Sequence, residues 1–148
     1  MKSFSKFLLV LFLLFLFILI NCYSYTSSTF QNLSSNVFRL HIIANSDSTE
    51  DQALKLEIRD NILQYLKPLT INCNNKIETI EVISNQIKSL QEIALHTINK
   101  NGYNYNVTLE IGNFNFPTKY YGNISMPAGN YDALRIKIGK AQRSELVV

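Results

Sequence analysis

The chain has 148 residues, 14 basic and 11 acidic, with a formal net charge of +3. It carries neither a basic stripe nor an acidic field, so no nucleic-acid partner is expected. Its two cysteines, Cys22 and Cys73, do not make a disulfide framework, and neither has a CxxC partner or a neighbouring histidine for metal binding or thiol activation.

The N-terminus addresses the chain. Lys2 and Lys6 precede fourteen uninterrupted apolar residues, Phe7 to Ile20, after which the sequence turns polar. This is the n-region and h-region order of a secretory signal. At the helical rise the apolar run is about 21 Å long, short of the hydrocarbon core of a bilayer. A cleaved signal peptide, an uncleaved anchor through residues 7–20, and lipidation at Cys22 all stay open, and each exports the remainder. Residues 1–23 are therefore assigned to a signal or anchor. Without Lys2 and Lys6, twelve basic residues face eleven acidic ones, a net charge of +1. Residues 24–36, rich in Ser, Thr and Asn, read as a flexible tether.

A single exported domain is expected over 37–139. Phe38, Leu40 and Ile42 alternate with Arg39, His41 and Ile43, the period of a strand. Asn45, Ser46, Asp47 and Ser48 then supply turn chemistry, with Ser48 at an N-cap and Asp51 three residues on. A first helix is predicted from Thr49 to Leu66, ended by Lys67-Pro68. A second helix carries an apolar seam of Ile80, Ile83, Ile87, Leu90, Ala94 and Ile98, read as core packing, and stops at Asn99 to Gly102. Tyr103 to Ile111 alternates as a half-buried strand, and Gly112-Asn113 is predicted to turn the chain. A run from Phe114 to Tyr121 is split by Pro117, and a last strand runs from Tyr131 to Ile138. The order β-α-α-β-β-β predicts an α+β fold, two helices on one face of a mostly antiparallel sheet.

Catalytic chemistry is sparse. His41, Asp47, Asp51 and Asp60 are the candidates for a hydrolytic or metal site, but one histidine beside carboxylates is too little for zinc. His96 has no HExxH partner, and no GxSxG nucleophile is present. No catalytic residue, metal or cofactor is expected. The blander reading of Asp47 and Ser48 is turn and cap; that of the histidines is structural or surface. Tyr120, Tyr121 and Tyr131 lie in a segment dense in proline and glycine, which suits either a recognition loop or an irregular hairpin.

Two separated blocks, FRLHIIANSDSTEDQALKLEIRD (38–60) and FPTKYYGNISMPAGNYDALRIKIG (116–139), resemble the signature blocks of the stage II sporulation protein R family of endospore-forming Firmicutes. The resemblance implies a secreted, non-enzymatic signal made in the forespore. It acts across the intermembrane space on a membrane-embedded aspartic protease of the mother cell, which then processes pro-sigma-E. Arg39, His41, Asn45, Ser46 and Asp47 from the first block, and Tyr120, Tyr121, Asn123 and Tyr131 from the second, are the candidate partner contacts. A small exported hydrolase using His41 and Asp47, or a membrane-tethered binding module without signalling, are the alternatives. The family usually continues into a segment with paired tryptophans, whereas residues 140–148 read KAQRSELVV. Back-translating Arg143 to Val148 and shifting by one nucleotide reads Glu-Val-Asn-Trp-Trp. A frameshift after about Gln142 is therefore expected, and resequencing the locus checks it.

Overall fold

A computed structural model describes residues 2–122 and 124–141. Helix α1 (Lys2–Asn36) is followed by strand β1 (Phe38–Ile43) and three helices, α2 (Thr49–Thr70), α3 (Lys76–Asn85) and α4 (Ile87–Lys100). Strand β2 (Val107–Phe116), the hairpin β3 (Lys119–Tyr121) and β4 (Ile124–Met126), and strand β5 (Gly129–Ile138) follow. The class is α+β, as expected from the sequence.

β5 is the central strand of a three-stranded sheet ordered β1-β5-β2. It pairs in parallel with β1, Leu40 opposite Leu134, and antiparallel with β2, Ile111 opposite Leu134. With the antiparallel β3-β4 hairpin, two of the three pairings among the described residues are antiparallel. The period of two puts Leu134, Ile136 and Ile138 on one face, all within 1% of full burial. Leu54, Ile58, Ile62 and Leu66 of α2, Ile83 of α3, and Leu90, Ala94 and Ile98 of α4 cover that face. Phe38, Leu40 and Ile42 pack against the same cluster, so β1 joins the core by alternate residues only.

Four expectations change. The predicted tether, 24–36, belongs to the continuous helix α1. Ser, Thr and Asn are mediocre rather than prohibitive in a helix, and no Gly or Pro interrupts residues 2–36 once the apolar run has nucleated it. α2 continues past Pro68 to Thr70. So near the C-terminal end the missing N–H removes a single intrahelical bond, and Thr70 Oγ1 donates to the Leu66 carbonyl at 3.0 Å. The single predicted second helix is two helices that meet at Gln86, with φ −104° and ψ 4°. The Gln86 side chain accepts from the Tyr65 hydroxyl at 2.7 Å, and the buried seam runs on through the break. Gly112-Asn113 does not turn the chain but lies within β2. A Cβ at Gly112 would stand 3.0 Å from the Phe114 ring, so the glycine makes room for that ring to fold back across the strand.

Two local signals hold. Ser48 accepts from the Asp51 N–H at 3.2 Å as the N-cap of α2. Gly102 ends α4 with φ 78°, and Tyr103 N donates to the Ile98 carbonyl at 3.1 Å.

Lys76, at the start of α3, reaches Asp132 of β5 at 2.6 Å, and Asn113 donates to the other oxygen at 2.9 Å. These bonds, the Asn113 amide first and then the Lys76 ammonium, hold the Asp132 carboxyl below its ordinary pKa against the opposing effect of burial. The pair ties the helical layer to the sheet margin while still reached by solvent. Lys76→Met is expected to lower stability by about 1 kcal/mol, with the loss smaller in high salt. Urea denaturation at two ionic strengths checks it.

Candidate functional site

The loop after β1 is organised by a carboxylate. Asp51, in the first turn of α2, is only 4% exposed. Asn45 Nδ2 donates to its Oδ2 at 2.9 Å and Ser46 Oγ at 2.5 Å. Burial opposes ionisation of Asp51, but hydrogen bonds from Ser46, Asn45 and Tyr105 outweigh it and hold the carboxyl below its ordinary pKa. Tyr105 responds in the opposite sense. Burial, followed by its bond to Asp51, pushes the phenol up. Gln52 Nε2 donates to the Ser46 carbonyl at 2.9 Å, closing the turn from the helix side.

Asn45 carries this network to the far end of the chain. Its Oδ1 accepts from Lys140 N at 3.0 Å, just beyond β5. Between them Gly139 has φ 60°, and a Cβ there would stand 2.9 Å from Asn45 Cγ. Two residues of the predicted contact set, Asn45 and Ser46, therefore spend their side chains internally. They lock the β1–α2 turn to the end of β5.

The sheet face away from the helices is also covered. The Arg39 guanidinium lies 4.2 Å from the Phe116 ring centroid and 5.0 Å from that of Tyr131. The His41 ring meets Phe116 edge-on at 5.1 Å, and Arg135 lies 3.5 Å over Phe114. Phe116, Tyr131 and Ala133 form a second small core, with Val37, Phe114 and Met126 packed on it. Glu110 accepts from Lys137 at 2.9 Å on the same face. That bond first, reinforced by the nearby Lys137 and Arg135 charges, holds the Glu110 carboxyl below its ordinary pKa despite some burial.

The predicted contacts thus separate. Arg39 and His41 come together over Phe116. Asp47 lines a groove beside β1. Tyr120 is 74% exposed on the hairpin and offers its ring outward. Tyr131 is 1% exposed with its hydroxyl donating to the Pro127 carbonyl at 2.8 Å, so it is a core residue and presents no surface to a partner. The Tyr121 side chain, Asn123 and the tail at 142–148 lie outside the described residues. Among the described residues no cluster of three or more His, Cys, Asp or Glu could hold a metal ion.

Sequence reasoning missed Phe114 and Phe116 as the platform for Arg39 and Arg135. Their signal was present: Thr108, Glu110, Gly112, Phe114 and Phe116 share one period of two once the strand is not broken at Gly112. It also read Asp51 as a cap neighbour and possible acid, where its main work is to receive the turn.

Comparison with known proteins adds the lineage. A family model described as Stage II sporulation protein R matches residues 34–146. A curated relative, the Stage II sporulation protein R of Bacillus subtilis (strain 168), is 36% identical over 107 residues. The aligned stretch is 72% of this chain and 48% of the relative, so the chain spans about half the length of the curated protein it matches. No solved structure matches.

Proposed function

This chain belongs to the stage II sporulation protein R family, and from that premise we propose that it is an exported, non-enzymatic signal of sporulation. Made in the forespore, it activates the membrane-embedded aspartic protease of the mother cell that processes pro-sigma-E. The family match, covering both sequence blocks at 34–146, carries this reading. The N-terminus supports export. The large side chains from Phe7 to Ile20 are exposed all around α1, the pattern of a segment whose environment is not water. Among the described residues, no helix is long and apolar enough to cross a membrane. The folded part supports a recognition role. Asp51, the most enclosed carboxylate of the signature, is committed to hydrogen bonds that hold a turn, and His41 packs on an aromatic ring. Activation requires tighter binding to the active form of the protease than to its resting form, because equal affinity shifts no population.

Co-expression in a host that lacks the pathway tests this. Cleavage of pro-sigma-E is expected only when this chain and the protease are both present. It is expected to vanish when the catalytic aspartate of the protease is replaced. Cleavage by this chain without the protease would make it a hydrolase. Export with no gain in cleavage would leave a binding module without signalling.

A further inference from the structure

α1 joins the folded domain at one end of the sheet. Val37 alone separates it from β1, and Val37 packs on the small core of Phe116, Tyr131 and Ala133. β1 and β5 are parallel, with Phe38 opposite Asp132, so both strands start at this end. The β3-β4 hairpin lies here too, because it links Phe116 of β2 to Gly129 of β5, which face each other. α2 begins at the opposite end, where Asn45 holds Asp51. Its 22 residues are about 33 Å long, more than the ~20 Å of β1, so its last turn reaches the α1 end. The Lys76–Asp132 bond fixes the α2–α3 connection there. Outside α1, the large apolar or aromatic side chains most exposed among the described residues are Ile77 at 75%, Tyr120 at 74% and Ile71 at 71%. Ile71 follows α2, Ile77 opens α3 and Tyr120 is on the hairpin, so three separate elements bring them to one rim. Lys67 and Lys119, both exposed, stand at the same end.

The helix that arrives at this rim selects its occupant. From Phe7 to Phe38 the sequence has no charged residue. The large side chains of Phe7 to Ile20 are exposed all around α1, and the remainder of the helix, 21–36, is about 24 Å long. Upright in a bilayer, α1 lifts the rim that far into water on an uncharged stalk. Inclined along the bilayer surface, it keeps its uncharged length in the interface and lowers the rim to the headgroups. We propose that the end of the domain carrying Ile71, Ile77 and Tyr120 docks on the surface of the bilayer that holds α1. Ile71 and Ile77 enter the boundary between headgroups and acyl chains, and Tyr120 sits at headgroup level, where an aromatic ring with a polar tip is favoured. The long stems of Lys67 and Lys119 bring their ammonium groups to the lipid phosphates. The inference goes beyond protease activation, because it sets how the domain stands on a membrane and holds whether or not a protease is bound.

The chain has no tryptophan, so Ile77→Trp, Tyr120→Trp and Leu56→Trp each install a single fluorescent reporter. Leu56, about two turns into α2 and also exposed, stands toward the opposite end and serves as the control. The full chain is reconstituted into vesicles of phosphatidylcholine and phosphatidylglycerol whose acyl chains carry bromine close to the headgroups. Quenching by bromine is expected to be at least about threefold greater for Ile77→Trp and Tyr120→Trp than for Leu56→Trp, because it acts only at contact with the acyl boundary. Adding Ile71→Glu and Ile77→Glu to the Tyr120→Trp chain should lower its quenching at least about twofold, while α1 keeps the chain on the vesicles. Equal quenching of all three reporters overturns the proposal, because the domain then lies on its side. Quenching of none of them, or quenching that the two glutamates leave unchanged, overturns it as well. Shielding of Ile77→Trp that rises with protein density and ignores bromination also overturns it and assigns the rim to a second copy of this chain.

Discussion

Asp51→Ala is expected to lower the stability of the domain by about 3 kcal/mol. The estimate follows from the donors it strands, because removing one partner of a buried hydrogen bond costs the desolvation of the group left behind. Asn45 Nδ2 and Ser46 Oγ both donate to Asp51 Oδ2. Asp51→Asn keeps an acceptor at that position and is expected to lose less. The same carboxylate gives a pH signature. Its pKa in the fold lies below the ordinary aspartate value. Its contribution is therefore complete above the unfolded-state pKa and is lost as pH falls through the lower folded value, starting near pH 4. Chemical denaturation followed by circular dichroism between pH 7 and about pH 3 measures this. The wild type should lose stability over that window more steeply than Asp51→Asn. Parallel curves would show that the acid sensitivity arises elsewhere, with Glu110 and Asp132 the next carboxylates held low.

Gly139→Ala has the second large effect, and it acts through the same turn. Gly139 has φ 60°, which costs a residue with a Cβ roughly 1 kcal/mol. The new methyl also meets the Asn45 side chain, which cannot swing aside without giving up Lys140 N and Asp51. A combined loss of about 3 kcal/mol is expected. Asn45→Ala removes the two nearest obstructing atoms, Oδ1 and Cγ, and leaves Cβ at 3.0 Å, so the double variant should be less unstable than the sum of the two single losses. A double-mutant cycle by thermal or urea unfolding reads the coupling directly. Strict additivity would mean that Asn45 and Gly139 do not share the contact that the structure gives them.

These two sites show what kind of signal the first block carries. From the sequence, Asn45 to Asp51 reads as turn and cap chemistry, and the Ser48 cap is found as expected. The local reading could not show that Asn45 also reaches Lys140, 95 residues away in sequence. Nothing in spacing or period encodes that closure. It follows from β1 and β5 being parallel neighbours, which brings the end of each strand to the same side of the sheet. The same pairing explains why the two signature blocks belong together. Each supplies one of two adjacent strands, and their ends are joined through Asn45.

The surface residues were less legible. Tyr120 and Tyr131 looked alike in a segment rich in turns, yet one is exposed on a hairpin and the other is sealed in a small core. The difference is set by the direction in which β5 presents Tyr131, and by the strand β2 continuing through Gly112 to bring Phe116 alongside it at 6.2 Å. A predicted turn at Gly112-Asn113 hid that continuity, because a glycine followed by asparagine fits the two central positions of a type II′ hairpin turn. In β2 the glycine instead leaves space for a ring.

By itself the sequence determined the periodic elements and their class. Apolar spacing of three and four made the helices, alternation made the strands, and their segregation along the chain made the fold α+β, because each period buries one face. It also determined the family, through two blocks whose residues are specific even without coordinates. The tertiary structure alone decided the parallel placement of β1 beside β5, the closure of Asn45 on Gly139 and Lys140, and the burial of Tyr131. Those are contacts between residues far apart in sequence, fixed by which strand lies next to which, and local periodicity carries no information about that choice.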